Sequence, residues 1–459
     1  MSLLDLTLVW YHYAGDTSCT PISYSCKGHD LFTTQRLFGD VGLPSSTLTY
    51  EPFLERARVQ REQDSDASAR LALGGYVVAR LVDKLLLLKG DAELVEAFRW
   101  QLEAVRRHVS ELPDGVPETA HLNGIVTAVP DAAPPTSSLW MSLTAYAYFL
   151  EHEARLEESL EMLMLAARAQ GQNTSPADFA AYALFAGRLN RQLARWDMAT
   201  ACYTAAEAAA SHVGDAFLML RGRLGIGAVH RGRGNYPAAR ASAERVVQDA
   251  TELKIADAQA LAYADLGVVY SLQGQPLEAV QAHFRAFQLS TDNVRRMRAL
   301  GDLALGLFEI GAYDAARLAF QIVADSDAEL LVRMNARLEL MDLESSVGNR
   351  VAFERCRAAV EEYGDRMSPS MSCDYRFKLG VGFARFGQAN RARAELTKGL
   401  GTAERHHLNA WYFKIDQKLG ELSTPSSMQS PTHAVSELSE APVVEELMIG
   451  LREYAAAPS

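Results

Sequence analysis

Cysteine is scarce in this chain of 459 residues, which contains only five. Cys19 and Cys26 lie near one another, while the other three are dispersed between residues 202 and 373. An odd number of scattered thiols argues against structural disulfides and is typical of a reducing compartment. Cys19 and Cys26 could bind zinc together with His12 and His29, but their spacing lacks a CxxC knuckle. We therefore expect no metal and no cofactor.

Long apolar runs and an excess of positive charge are also absent. The apolar run at residues 85–88 is flanked by charged residues, and every apolar run in the sequence is far shorter than the roughly twenty residues that span a bilayer. Residues 1–14 include Asp5 and no basic region, which argues against a secretory signal and favours the cytoplasm. The net charge of -12 argues against binding to nucleic acid or to an anionic membrane surface. Abundant Ala and an excess of Arg over Lys are typical of bacteria with GC-rich genomes.

Three common catalytic motifs are missing from the sequence. It contains no GxxxxGK[ST], HExxH or GxSxG pattern. Two glycine clusters, at residues 225–232 and 380–387, superficially resemble phosphate-binding loops, but each lies inside a helical pattern and follows no strand. We therefore expect a protein that is not an enzyme.

A helix break recurs through the middle of the chain at intervals of roughly forty residues. The breaks are Ala154, Ala194, Gly234, Gly274, Gly311, Gly348 and Gly387. The helical pattern predicts first helices at 139–153, 176–193, 216–233, 256–273, 293–310, 328–347 and 372–386, and second helices at 156–169, 196–211, 236–253, 276–289, 313–324, 351–363 and 390–400. Such hairpins bury their apolar faces by stacking on their neighbours. The sequence therefore predicts an all-α fold, an α-solenoid of helical hairpins.

Small residues recur at matching places in the two helices of each hairpin. They are Gly187, Gly227, Gly267 and Gly380 in first helices, and Ala199, Ala239, Ala279, Ala316 and Ala392 in second helices. Small residues let paired helices approach closely, and we expect Tyr203, Phe320 and Leu396 to fill the space between successive hairpins.

The repeat resembles the tetratricopeptide repeat (TPR) family, in a long-period variant of about forty residues. The resemblance covers residues 138–400 and is strongest at Tyr236, Gly267, Tyr270, Gly274, Ala279, Tyr313 and Ala316. The helix-ending proline of the family is missing from nearly every unit, and the Gly348 unit departs from the pattern. The resemblance implies a right-handed, TPR-like superhelix that acts as a protein–protein interaction scaffold or adaptor. The alternative that it implies is a regulator that senses a signal peptide or small ligand and acts on a transcription factor or kinase.

Four regions follow from these patterns. Residues 1–64 are rich in turn formers and are expected to be a weakly structured extension. Residues 65–137 are expected to form a first hairpin and a Pro-rich connection that contains a short helix at 118–129. Residues 138–421 are expected to form the array, closed by a capping helix at 402–422. Residues 422–459 are expected to form a linker and a short amphipathic helix.

The resemblance places the first helices on a concave groove, which suggests a binding site for a peptide or protein segment. The residues expected there are Tyr148, Glu151, Arg188, Arg191, Arg221 and Arg231. A guanidinium can bind a carboxylate through two hydrogen bonds, so this row of arginines would suit an acidic peptide or a C-terminal carboxylate. The alternative is a solvated face with ordinary ion pairing. The sequence does not indicate the oligomeric state.

The C-terminal tail carries a second possible interaction. Residues 423–442 are rich in Ser, Pro and Thr, and residues 443–454 return to helical spacing. A tethered amphipathic helix could occupy a groove of the array and regulate partner binding. The alternatives are a helix that packs beside the last hairpin or a disordered tail.

Overall fold

The structure is a computed structural model that describes residues 48–62, 66–88, 92–364, 367–406, 408–422 and 437–456. Within these ranges the chain is all-α and contains no β-strand, which confirms the predicted fold class. The possible zinc ligands His12, Cys19, Cys26 and His29 lie outside these ranges. None of the helices in the described part is long and apolar enough to cross a membrane.

The described helices divide into two compact units, with the boundary between Asn235 and Tyr236. The first unit contains α1 (Glu51–Glu62), α2 (Asp66–Leu87), α3 (Ala92–Ser110), α4 (Pro117–Ala128), α5 (Ser137–His152), α6 (Leu156–Gln170), α7 (Pro176–Gln192), α8 (Trp196–Val213) and α9 (Ala216–Gly232). The second unit contains α10 (Tyr236–Glu252), α11 (Ala256–Leu272), α12 (Pro276–Leu289), α13 (Asn293–Glu309), α14 (Tyr313–Asp325), α15 (Leu330–Ser346), α16 (Arg350–Glu361), α17 (Pro369–Arg385), α18 (Ala389–Arg405), α19 (Asn409–Glu421) and α20 (Pro442–Ala456).

Each unit is a stack of antiparallel helical hairpins. In the first unit α5 pairs with α6 and α7 pairs with α8, and α9 packs against both α7 and α8. In the second unit the pairs are α11 with α12, α13 with α14, α15 with α16, and α17 with α18, while α19 packs on α17 and α18. The hairpins follow one another at the predicted interval, so this organisation fits that of TPR-like helical repeats.

The helix breaks lie where the sequence predicts them. Every one of the seven predicted break residues has a positive φ, between 56° at Ala194 and 82° at Gly311. This left-handed conformation ends a helix by turning the chain away from its axis, and it favours glycine. Five of the seven breaks are glycine, whereas Ala154 and Ala194 adopt the same conformation with a side chain.

Side-chain caps begin several of the first helices. Ser175 and Asp178 form a capping box at the start of α7, with Ser175 Oγ accepting from the Asp178 backbone N–H at 3.1 Å. Asp215 and Asp292 accept from backbone N–H groups in the first turns of α9 and α13. These contacts satisfy amide groups that have no partner within the helix and fix where each first helix starts.

Glycines of the first helices make room for large side chains of the second helices. The ring of Tyr203 on α8 lies so close to α7 and α9 that a Cβ at Gly187 would be 2.8 Å from it and a Cβ at Gly225 would be closer still. Gly267 faces the ring of His283, and Gly380 faces Leu396, in the same way. The predicted close approach is therefore achieved by a glycine on one helix against a bulky residue on the other.

The helices differ from the sequence-based boundaries at two places. Within the predicted extension, residues 51–62 form helix α1, which packs on α2, and buried Phe53 contacts the ring of Tyr146. Helix α18 continues to Arg405, and α19 starts at Asn409 rather than at 402. Ala403 is buried, which shows that the apolar face of α18 continues past the predicted end of the helix.

A buried arginine attaches α4 to the hairpin of α5 and α6. Arg155 Nη1 donates to Glu118 Oε1 at 2.6 Å, and the Tyr146 hydroxyl donates to the same oxygen at 2.6 Å. Arg155 also pairs with Glu158 on α6. Because all these groups are buried, removing one partner would leave an uncompensated charge.

Candidate functional site

The predicted site residues lie on α5, α7 and α9 of the first unit, and we call the surface formed by these three helices the first-helix face. Glu151, Arg191 and Arg231 occupy equivalent places, each three residues before a helix break. Tyr148 and Arg188 also occupy equivalent places, each six residues before a break. The forty-residue period therefore repeats these positions from one first helix to the next.

An aromatic and ionic cluster joins α5 to α7 on this face. The rings of Tyr148 and Phe185 stack with their centroids 4.2 Å apart and an interplanar angle of 11°. The guanidinium of Arg188 lies over both rings, 4.7 Å from the Phe185 centroid and 5.6 Å from that of Tyr148. Such cation–π contacts are favourable when the cation is partly desolvated.

Arg188 also forms a two-pronged ion pair with Glu151. Its Nε donates to Glu151 Oε1 and its Nη2 donates to Oε2, both at 2.8 Å. Gln192 donates to the same Oε1 at 2.8 Å. Burial alone would lower the pKa of Arg188, but the Glu151 carboxylate beside it raises that pKa above the usual value. The fork of Arg188 is thus occupied by a carboxylate of the chain itself.

Arg191, one turn further along α7, differs from Arg188 in its hydrogen bonding. Only 9% of its surface is exposed, and among the residues that the structure describes its Nε has no hydrogen-bond acceptor. A buried donor without an acceptor is costly, so a rotation of the Arg191 side chain that brings this nitrogen to an anion would relieve an unfavourable arrangement. Arg231 at the equivalent place on α9 is also buried, with 5% of its surface exposed.

The remaining predicted residue, Arg221, lies nearer the start of α9. Its guanidinium is 5.8 Å from the centroid of the Phe217 ring on the same helix. Its neighbour Arg223 bonds Glu207 of α8 through an Nε–Oε1 contact of 2.7 Å. The structure therefore brings Tyr148, Glu151 and Arg188 into one cluster with Arg191 beside it, and places Arg221 near the opposite end of its helix.

Two residues of the cluster were not singled out from the sequence. Phe185 supplies half of the stacked pair, and Gln192 supplies a second donor to Glu151. Both lie on α7 within about one turn of Arg188, so a helical projection of α7 about Arg188 could have included them.

The first helices of the second unit carry a different set of polar groups. Lys378 on α17 donates to Glu339 of α15 at 2.7 Å and to Asp374 at 2.8 Å. Arg385 donates to Asp342 Oδ1 at 2.5 Å and to Ser345 Oγ at 2.6 Å. These pairs link α15 to α17, and each cation is matched by a carboxylate.

The described residues include no group of three or more His, Cys, Asp and Glu side chains that could hold a metal ion. The buried thiols of Cys202 and Cys373 have pKa values raised to about 12 by desolvation, which keeps them protonated. The side chains described on the first-helix face form ion pairs, hydrogen bonds and an aromatic stack.

Comparison with known proteins gives structural matches alone. No family model matches the sequence, and no curated protein matches it. A Rap protein complexed with competence and sporulation factor matches with 12% identity and a TM-score of 0.41, over 77% of this chain and 99% of that one. The apo form of RapI matches with 11% identity and a TM-score of 0.41, over 58% and 98%. The apo form of the quorum sensor NprR from B. thuringiensis matches with 10% identity and a TM-score of 0.34, over 82% and 97%.

Proposed function

We propose that the first-helix face binds an acidic peptide segment or a C-terminal carboxylate of a partner protein, and that the chain acts as a non-enzymatic interaction scaffold. The observation that carries this proposal is the buried Nε of Arg191, which has no acceptor in the described part of the chain. A ligand carboxylate can accept from that Nε and from a neighbouring Nη nitrogen. Since Arg191 is largely out of bulk water, such a bond is stronger than one on an open surface.

Arg188 has a supporting role in this proposal. Its guanidinium is held by Glu151 and lies against the rings of Tyr148 and Phe185, so it keeps the aromatic pair and the start of the last turn of α7 in place. Phe185 is buried at 4% exposure, whereas the ring of Tyr148 is only partly buried and leaves apolar surface on this face, which suits an apolar side chain next to the ligand carboxylate. Arg231, equivalent to Arg191 on the next first helix, extends the positive charge along the face.

Titration of the full-length chain with short synthetic peptides tests the proposal. The peptides carry acidic side chains and a free C-terminal carboxylate, and the tightest binder is then measured against Arg191→Gln. We expect that variant to lose at least about tenfold in affinity, because a hydrogen bond to a charged group contributes about 1.5–3 kcal/mol. Binding should also weaken as the salt concentration rises.

Arg195→Gln is the matched control. Arg195 lies on the exposed turn after α7 and donates to Glu157 at 2.6 Å, so its loss should leave peptide affinity unchanged. Equal affinities for wild type and Arg191→Gln, with both proteins folded by circular dichroism, would refute the proposed role of Arg191. Equal losses in the two variants would indicate a general charge effect and would refute it as well.

The same titration, combined with a measurement of partner binding, distinguishes the scaffold from the regulatory alternative. A scaffold binds segments of its partner proteins, whereas a sensor binds a short free peptide and thereby changes its affinity for a second protein. Tight binding of free peptides, together with a change in the affinity for a partner, would favour the sensor. Binding of the same segment in both free and protein-linked form, without such a change, would favour the scaffold.

A further inference from the structure

Helix α20 is docked on the second helices of the second unit. It packs against α12 and α14, with Val444, Leu447 and Leu451 buried at 8%, 2% and 0% exposure. These residues are three and four positions apart, so they form one apolar stripe along the helix. The opposite side carries Glu445, Glu446 and Arg452, which are exposed.

The surface of α12 under α20 is apolar at a place that is polar in α10. Phe284 lies ten residues after its helix break. At the same distance from its own break, α10 has Glu244, which forms a largely exposed ion pair of 2.7 Å with Arg240. Phe284 lies in the same apolar cluster as Leu447 and Leu451.

The surface of α14 shows the same exchange of polar for apolar residues. Ile322 lies eleven residues after its break, where α10 has Arg245 and α18 has Lys398. Ile322 and its neighbour Leu318 belong to the apolar cluster that contains the buried side chains of α20. Two adjacent second helices therefore share an outer apolar stripe, and together they form a groove, which we call the α12–α14 groove.

The fit between α20 and this groove is specific at two points. A Cβ at Gly450 would lie 2.9 Å from Cζ of Phe284, so α20 approaches α12 closely where it has no side chain. Four residues further on, Tyr454 packs edge-on against Phe287 with ring centroids 5.0 Å apart. The groove thus selects a helix with a small residue one position before a buried leucine and an aromatic residue three positions after it.

We propose that the α12–α14 groove is a docking site for amphipathic helices, that α20 occupies it as an exchangeable internal ligand, and that a partner protein's helix with the same spacing replaces α20. Helix α20 contains fifteen residues and buries three of them. It belongs to no hairpin of the stack, so its release leaves the hairpins intact. The groove lies on second helices of the second unit.

A labelled synthetic peptide of residues 437–456 tests this exchange. The host is the full-length chain with Leu447→Glu and Leu451→Glu, which removes the buried stripe of its own α20. We expect the peptide to bind this variant at least about tenfold more tightly than wild type, because in wild type the tethered α20 competes at a high effective concentration. The control host is Ile449→Glu, because Ile449 is 51% exposed and its change should leave α20 docked.

Changes in the peptide itself check the predicted fit. Gly450→Trp in the peptide should abolish measurable binding to the double variant, because a side chain at this place meets Phe284. Ile449→Ser in the peptide should bind like the original. A second host, the full-length chain cleaved at a protease site inserted between residues 422 and 437, should release α20 on addition of the unlabelled peptide even if the double variant does not fold.

Three results would overturn the proposal. The first is equal affinity of the peptide for wild type and for the double variant. The second is retention of the cleaved α20 in the presence of excess peptide. The third is a wild-type dimer that the peptide converts to monomers, which would show that the docked helix comes from a second copy of the chain.

Discussion

At the scale of single residues, buried groups with an incomplete set of partners are the most informative. His283 on α12 is the clearest case, because its ring lies against Gly267 and its Nδ1 has no hydrogen-bond partner in the described part of the chain. Desolvation lowers the pKa of His283 to about 4. The ring is therefore neutral in the folded protein at pH values where an exposed histidine takes up a proton.

This shift predicts acid destabilisation through one residue. Between pH 6.5 and about 4 the unfolded chain binds a proton at His283 that the folded chain does not, so the free energy of unfolding falls as the pH is lowered. The loss amounts to about 3 kcal/mol when the folded pKa is reached. Thermal unfolding at several pH values should show a smaller acid-induced drop in midpoint for His283→Leu than for wild type. Parallel curves for the two proteins would contradict this account.

The two alanine breaks give a second prediction at this scale. Ala194 has a φ of 56°, a conformation that costs an L-residue with a side chain roughly 1–2 kcal/mol. Ala194→Gly removes that strain at a smaller cost in the entropy of the unfolded chain, so we expect a gain in stability of about 0.5–1 kcal/mol. Chemical denaturation would measure it. Gly274→Ala, the reverse change at an equivalent break, should lower stability, and an increase there would contradict the explanation.

At the scale of helices, close approach of paired helices is the feature that holds each hairpin. Gly267→Val should destabilise the second unit by about 1–3 kcal/mol or more, because a Cβ at this position would overlap the ring of His283 and the surrounding core is closely packed. Gly401→Ala is the control, since Gly401 lies inside α18 and a Cβ there would have no other atom within 4 Å. That change should stabilise slightly through helix propensity. Equal unfolding midpoints for Gly267→Val and wild type would show that the predicted register is wrong.

Helix positions were largely predictable from the sequence, and the exceptions have a physical reason. The regular breaks give the hairpins of the array to within a few residues, because each break requires a residue that tolerates a positive φ. The boundary between α18 and α19 was placed too early, since no glycine or proline marks it and apolar spacing continues to Ala403. Helix α1 was not predicted, because only Phe53 and Gln60 of its residues are buried and its periodicity is weak.

The candidate site was predictable only in part. The resemblance to TPR proteins indicated six positions on the first helices as a binding site. The structure brings three of these six residues into one cluster. The pairing of Arg188 with Glu151 joins residues 37 positions apart on different hairpins, which local pattern does not encode. The same holds for the ion pair of Lys378 with Glu339, which are 39 positions apart. Sequence patterns therefore indicated the arginines but not which of them already has a carboxylate.

At the scale of the whole molecule, each unit has its own candidate interaction surface. In the first unit it is the first-helix face, with its aromatic pair and Arg191. In the second unit it is the α12–α14 groove, which holds α20. The predicted ligands differ in chemistry, because the first surface suits a carboxylate and the second an amphipathic helix. Together, the two proposals predict that a segment bearing a carboxylate and an amphipathic helix each bind at their own surface.

Amide hydrogen exchange of the full-length chain, with and without the tightest-binding acidic peptide, locates the peptide-binding surface. Binding at the first-helix face should slow exchange in Ser137–His152 and Pro176–Gln192 and leave exchange in Pro442–Ala456 unchanged. Protection confined to α12, α14 and α20, with α5 and α7 unaffected, would contradict the claim that the first-helix face is the peptide-binding surface.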